Sequence, residues 1–382
     1  MFKIKSYFFY LKTVFLIIGG IALLAVAIDG FKISWDTLYL DEAIKLQIND
    51  LLLKKIHPAL FLFPGILITS FMQSSSASIA LAISAAAGGA MHFDSAVYFI
   101  LGANVGTSLV NSIVSLNYAK SDIKFKRTIP SVLIDDQYKL LNTTLFFLLE
   151  LLFGTLSQLS HRATDFLSQM SSIDFAMHLQ LEAFTLFILK PIQSALIHFL
   201  PTEATALILF ILSLSCLQIA VRLFGKATKE SIDKFFSKNS FKIIEKSAVS
   251  FAIGFVVCWL LQSSSLTLSL ILPVVAEVGI KLQSIYFYSL GASLATTCAP
   301  AQLFAYYKFG ALGIQLGLVH IILNLFSVSI FGLLPWTRHL VIRYTEFLSR
   351  IIYEGKRPAI NLLTYMALVY FIIPGLFIYF FT

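Results

Sequence analysis

Phe71-Met72-Gln73-Ser74-Ser75-Ser76-Ala77-Ser78 and Leu260-Leu261-Gln262-Ser263-Ser264-Ser265-Leu266-Thr267 each place a Gln-Ser-Ser-Ser tetrad in the middle of an uncharged apolar run. The tetrads stand 189 residues apart, 262 less 73. At the same separation Gly102-Ala103-Asn104-Val105-Gly106-Thr107-Ser108 is answered by Gly291-Ala292-Ser293-Leu294-Ala295-Thr296-Thr297, and Gly65 by Gly254. Three landmarks in one ungapped register identify an internal duplication. Further on, Tyr138-Lys139-Leu140-Leu141-Asn142 faces His320-Ile321-Ile322-Leu323-Asn324 at an offset of 182, the second copy having the shorter loop.

The runs around the tetrads set the fold class. Hydrophobic residues make up 58% of the 382-residue chain and charged ones 13%, more apolar side chain than a water-soluble core can hide, so lipid must cover the rest. The 36 Phe and 15 Tyr suit a lipid-facing surface with Tyr at the interfaces. The net charge of +8 comes from Lys and Arg in short loops between apolar runs, which excludes a nucleic-acid surface. Cys216, Cys258 and Cys298 lie in apolar stretches without metal or disulfide spacing. No cofactor is expected.

A span needs about 20 apolar residues. That criterion predicts helices over residues 7–28 (retained, not a cleaved signal), 95–118, 137–160, 204–221, 282–307, 312–336 and 358–382. Residues 58–90 and 247–276 would each be roughly 45 to 50 Å long as one helix, too long for one span and too short for two. Each is expected to be a re-entrant hairpin of two half-helices, with its tetrad at the tip. Residues 181–200, broken by Lys190-Pro191, are expected to lie at the interface.

Basic clusters at the N-terminus, at Lys120 to Arg127, Arg222 to Lys246 and Arg338 to Arg357 are expected inside by the positive-inside rule. All four fall there only if the two hairpins enter from opposite faces. The expected organisation is repeat 1 over 1–160, an outside loop with the interfacial segment over 161–200, repeat 2 over 201–337, and a cytoplasmic basic loop with a last helix over 338–382. The fold class is thus an all-α polytopic membrane protein with two inverted-topology repeats and broken helices meeting at the midplane, the architecture of alternating-access carriers. An inner-membrane location with a cytoplasmic N-terminus follows.

Broken helices in a membrane are tolerated where they line a wet cavity or lie within protein. At each break the second half-helix offers free N–H groups, the positive end of its dipole and serine hydroxyls, a setting for an anion. Carbonyls and Ser or Thr oxygens are hard ligands that suit sodium. Any single serine here serves as readily for helix packing, but the same tetrad at the centre of two hairpins is not required by packing. Gly102 and Gly106 read as a helix contact, and Asn104 as a ligand. Glu150, Lys139 and Glu277 are ionisable groups in or near spans; Lys139 and Glu277 lie close enough to an interface to snorkel. His320 reads at least as readily as an interhelical hydrogen-bonding residue as a proton sensor or a substrate contact.

These residues resemble the type II sodium-phosphate cotransporter family, in which paired Gln-Ser-Ser-Ser hairpins and a following Gly-Ser/Ala-Asn-x-Gly-Thr-Thr turn define two repeats. The resemblance covers about residues 55–335. It implies uptake of inorganic phosphate coupled to sodium, with substrate at Gln73, Ser74, Ser75, Ser76, Gln262, Ser263, Ser264, Ser265 and Asn104. The implied sodium ligands come from Ser76, Asn104, Thr107, Ser108, Ser265, Ser293, Thr296 and Thr297. Partners would be phosphate, sodium and the bilayer, with oligomeric state open. The chain departs from the family at Ser293, Leu294 and Ala295, where the pattern prefers Asn, Ile or Val, and Gly. Tyr138 stands where the first repeat usually shows His.

Two other readings compete. Gly291-Ala292-Ser293 also looks like the nucleophile motif of rhomboid-like intramembrane serine proteases, with His320 as base. A carrier of the same fold could move another oxyanion or export phosphate.

Overall fold

The computed structural model describes residues 2–38, 40–41, 57–170, 176–235, 245–355 and 357–381, which form helices joined by short turns, with no strand among them. Helices satisfy every backbone group internally, as lipid requires. Four described stretches are long and apolar enough to cross a membrane: Lys12–Leu38, Phe93–Tyr118, Gly310–Leu333 and Pro358–Phe380. A fifth, bent by 78°, joins Asp122–Phe153 to Thr155–Ser168. The chain is an all-α, multi-pass membrane protein.

Helix α1 covers Phe2–Leu38. A 3-10 turn at Pro58–Phe61 leads into α2 (Leu62–Met72) and α3 (Ser75–Ala87), followed by α4 (Phe93–Gly106), α5 (Leu109–Ser115), α6 (Asp122–Phe153), α7 (Thr155–Met170) and α8 (Ala176–Phe199). In the second half α9 (Thr202–Phe235) precedes α10 (Ser247–Leu261), α11 (Ser264–Val278), α12 (Leu282–Thr297), α13 (Pro300–Lys308) and α14 (Gly310–Ser327), which a π-helical turn extends to Leu333. Helices α15 (Pro335–Glu354), α16 (Pro358–Ala367) and α17 (Ile373–Phe381) follow.

The two halves share contacts at the 189-residue offset. A Cβ on Gly65 would sit 2.3 Å from the Phe99 carbonyl oxygen, and one on Gly254 would sit 2.1 Å from that of Tyr288. The reciprocal positions agree: Gly102 closes on the Leu62 carbonyl and Gly291 on that of Phe251. Only glycine permits this approach, so α2 lies on α4, and α10 on α12, backbone to backbone.

Several expected boundaries move. Helix α1 runs ten residues past the expected end at 28, because Asp29 is not a loop residue: it is buried and ion-paired with Lys308 of α13. The span expected at 137–160 breaks at Gly154, whose φ of +57° ends α6, and α6 itself starts at Asp122. The span at 282–307 is cut at Ala299, which the following Pro300 drives into extended backbone, so that Pro300 opens α13. Within the segment expected at the interface, residues 181–199 are helical as part of α8, which packs along α1 and donates from Gln193 to Thr37 at 2.9 Å. The basic segment 338–357, expected as a loop, is mostly α15.

Candidate functional site

Each hairpin tip is built the same way. Gln73 (φ 55°, ψ 26°) and Gln262 (φ 56°, ψ 27°) end α2 and α10 in the left-handed conformation, the two non-glycine residues among those described with positive φ. Their backbone N–H groups donate to the Thr69 carbonyl at 2.7 Å and the Cys258 carbonyl at 2.6 Å. Ser74 and Ser263 then turn extended and cap the next half-helix, accepting from the N–H of Ala77 and of Leu266, each at 3.3 Å. An L-residue in that left-handed region costs roughly 1–2 kcal/mol, and glycine would avoid the cost. The chain keeps a glutamine at both positions. Ser75, Gln262, Ser264 and Ser265 are buried, Ser74, Ser76 and Ser263 are half-buried, and Gln73 is exposed.

The turns after the hairpins also match. Thr107 donates to the Asn104 carbonyl at 2.8 Å, and Thr296 to the Ser293 carbonyl at 2.6 Å. Thr297 donates to the Leu294 carbonyl at 2.8 Å. With their protons committed to the backbone, these hydroxyls present lone pairs to a ligand. Asn104 and Ser293 occupy equivalent positions, both buried; among the described residues the Asn104 Nδ2 lacks a hydrogen-bond partner, while Ser293 faces the Tyr138 hydroxyl. A buried polar atom left unbonded costs about 1–3 kcal/mol, which a bound ligand would recover. The second hairpin reaches the first turn: Ser265 Oγ donates to the Thr107 carbonyl at 3.0 Å. The first hairpin packs in the corresponding way, α3 against α13. Tip 2 and turn 1 therefore form one cluster, while among the described residues no hydrogen bond joins Gln73, Ser74, Ser75 or Ser76 to the second turn.

Helix α6 supplies residues that the sequence reading missed. Asp135 is fully buried and accepts from Ser108 Oγ at 2.8 Å, Lys139 Nζ at 2.8 Å, Asn111 Nδ2 at 3.5 Å and Ser289 Oγ. Ser108 and Asn111 belong to the first repeat and Ser289 to α12 of the second, so one carboxylate ties the two halves together. Asp136, also buried, is its neighbour. Lys139 does not snorkel: it is 2% exposed and bonds Thr107 Oγ1 at 3.1 Å as well as Asp135. A usable signal existed, since Asp135 and Lys139 have the i,i+4 spacing of a helical ion pair, but a span starting at residue 137 discarded it.

Other expectations resolve into structural roles. Glu150 caps α7, accepting from the Leu156 N–H at 2.6 Å and from Ser157. Glu277 pairs with Lys124, and Arg127 donates to the Glu277 carbonyl at 2.8 Å, closing the C-terminal end of α11. His320 is bonded through Nδ1 to Tyr306 Oη at 2.7 Å and Ser293 faces Tyr138, so the nucleophile and base that a serine protease needs are not paired among the described residues.

Fold and tips together define a class: a polytopic helical membrane protein whose halves each contain a broken-helix hairpin tipped by Gln-Ser-Ser-Ser. Residues 40–180, which hold the first tetrad, the first turn and Asp135, match the model of the Na+/Pi-cotransporter family. Sodium-dependent phosphate transport protein 2A of Ovis aries is 33% identical over 104 residues, 27% of this chain and 16% of the relative. The protein of the same name from Rattus norvegicus is 34% identical over 100 residues, 26% and 16% of the two chains. Sodium-dependent phosphate transport protein 2B of Homo sapiens is 33% identical over 86 residues, 22% and 12%. Over this stretch the chain is similar to sodium-phosphate cotransport proteins, in line with the resemblance carried by the first tetrad, and these relatives are transport proteins. The matched stretch spans about a sixth of the length of the 2A relatives. No solved structure matches.

Proposed function

We propose that this protein is a secondary active transporter that takes up inorganic phosphate together with sodium by alternating access across the inner membrane, its N-terminus cytoplasmic. The observation that carries the proposal is the tip built twice. At equivalent positions a glutamine is held at a conformational cost where glycine would fit, and the next serine caps a half-helix whose N-terminus is then available to an anion. Strain kept at two such points is accounted for by a function of the glutamine amide, which donates two hydrogen bonds to a phosphate oxygen or orients its partner. The hydroxyl and carbonyl oxygens of Ser293, Thr296 and Thr297 supply hard ligands for sodium. The names of the relatives point to the same substrate and ion.

The test is uptake of labelled phosphate into proteoliposomes under an imposed sodium gradient, against potassium and proton gradients. Sodium-stimulated uptake, resistant to excess sulfate, is expected. Equal uptake in potassium would overturn sodium coupling, and suppression by sulfate would make the substrate a broader class of oxyanion.

A further inference from the structure

The two turns match in backbone but not in charge. In the first, Lys139 brings a buried ammonium to 3.1 Å from Thr107 Oγ1 and 2.8 Å from Asp135 Oδ2. Thr107 spends its own proton on the Asn104 carbonyl, so it meets the ammonium with a lone pair, as it would meet a metal cation. Asp135 adds a carboxylate and orients Ser108 and Asn111 around the same point. In the second repeat the 182-residue offset puts Gly317 opposite Asp135 and Ile321 opposite Lys139. The space beside Gly317 is taken by the Tyr306 ring, which holds His320. Thr296 makes the same bond to its own turn, but neither charge of the pair accompanies it.

We propose that Lys139 is a tethered cation that fills the cation position of the first turn, leaving the second turn as the place where a mobile sodium ion binds. A lysine ammonium is a compact point charge with three donors, suited to a pocket of carboxylate and hydroxyl oxygens. Buried and paired, it balances Asp135 permanently, which a dissociable ion does only while bound. The consequence is a transporter that carries fewer sodium ions per cycle than one whose two turns both take a mobile ion. This inference rests on the reading of the turns as cation sites, but not on phosphate being the substrate.

The test counts bound ions in the purified full-length protein in nanodiscs by equilibrium binding of radiolabelled sodium. Lys139→Ala is expected to bind one more sodium per chain than the native protein. Its thermal midpoint should rise in sodium chloride but not in choline chloride of equal ionic strength, a response that a purely structural salt bridge would not produce. Asp135→Asn combined with Lys139→Met removes both charges and is expected to return the count to the native value. A folded Lys139→Ala protein with the native sodium count would overturn the proposal. An independent arm needs no change at Lys139: Thr296→Val is expected to abolish sodium binding in the otherwise native chain, and a retained sodium would show that the first turn takes a mobile ion beside the lysine. Native protein that shows these counts yet no sodium-driven phosphate uptake would fail the transport reading alone.

Discussion

Gln73 and Gln262 are where side-chain chemistry and backbone geometry disagree most openly. Replacing either by glycine removes the Cβ penalty of roughly 1–2 kcal/mol while adding backbone entropy of roughly 0.5–1 kcal/mol to the unfolded chain, so stability should stay within about 1.5 kcal/mol of native. Transport should nonetheless fall at least tenfold in Gln73→Gly and in Gln262→Gly, because the amide is gone. Thermal unfolding and phosphate uptake measured on the same preparations separate the two effects. Native uptake in both variants would reduce the tetrads to packing. Asp29 makes a different case. It is 4% exposed, and its carboxylate receives Lys308 and Thr185. Asp29→Asn would leave the Lys308 ammonium buried without its counter-ion, a loss of about 3–5 kcal/mol. The double variant Asp29→Asn with Lys308→Met should recover most of that loss, and a thermal midpoint no better than that of the single variant would show that the pair matters for more than charge balance.

Between elements, the hairpins owe their position to four glycines rather than to apolar matching alone. Gly102→Val or Gly291→Val places a side chain 2.0–2.1 Å from a backbone carbonyl oxygen, where nothing flexible can yield. Displacing α2 from α4, or α10 from α12, should prevent folded protein from accumulating. Gly375→Val, which meets nothing within 4 Å, should express at native level. Fluorescence-detected size exclusion of tagged variants reads the contrast, and a monodisperse native-like peak for Gly102→Val would refute the close packing. The helix break at each tetrad was legible because four consecutive polar residues inside an uncharged run need bonding partners at bilayer depth, and a break supplies them. Helix ends were not, for a physical reason. Asp29, Asp135 and Lys139 are charged, and charge in a sequence signals a loop, whereas the fold neutralises these residues inside the protein through partners distant in the chain or a helical turn away. The break before Pro300 was visible in the residue pair Ala299-Pro300, yet apolarity over 282–307 outweighed it. The left-handed glutamines left no sequence trace, since glycine is what that conformation ordinarily selects.

At the scale of the whole molecule, alternating access by inverted repeats requires the two matching halves to face opposite ways in the bilayer. Lys124 and Arg127 bind the end of α11 at Glu277, so the base of the second hairpin lies on the same side as the basic segment 120–127. The positive-inside rule puts that side in the cytoplasm. One passage through α4 and α5 separates that segment from His92, which ends the connection after the first hairpin. The bases of the hairpins are therefore expected on opposite faces. Single cysteines at His92 and at Ser247, introduced after replacing Cys216, Cys258 and Cys298, can be probed in intact cells with a membrane-impermeant maleimide. The cysteine at 92 should label from outside, and the one at 247 only after the membrane is opened. Labelling of both from one side would mean that the halves run parallel, in which case the site between them could not be exposed to each face in turn by rocking one half against the other.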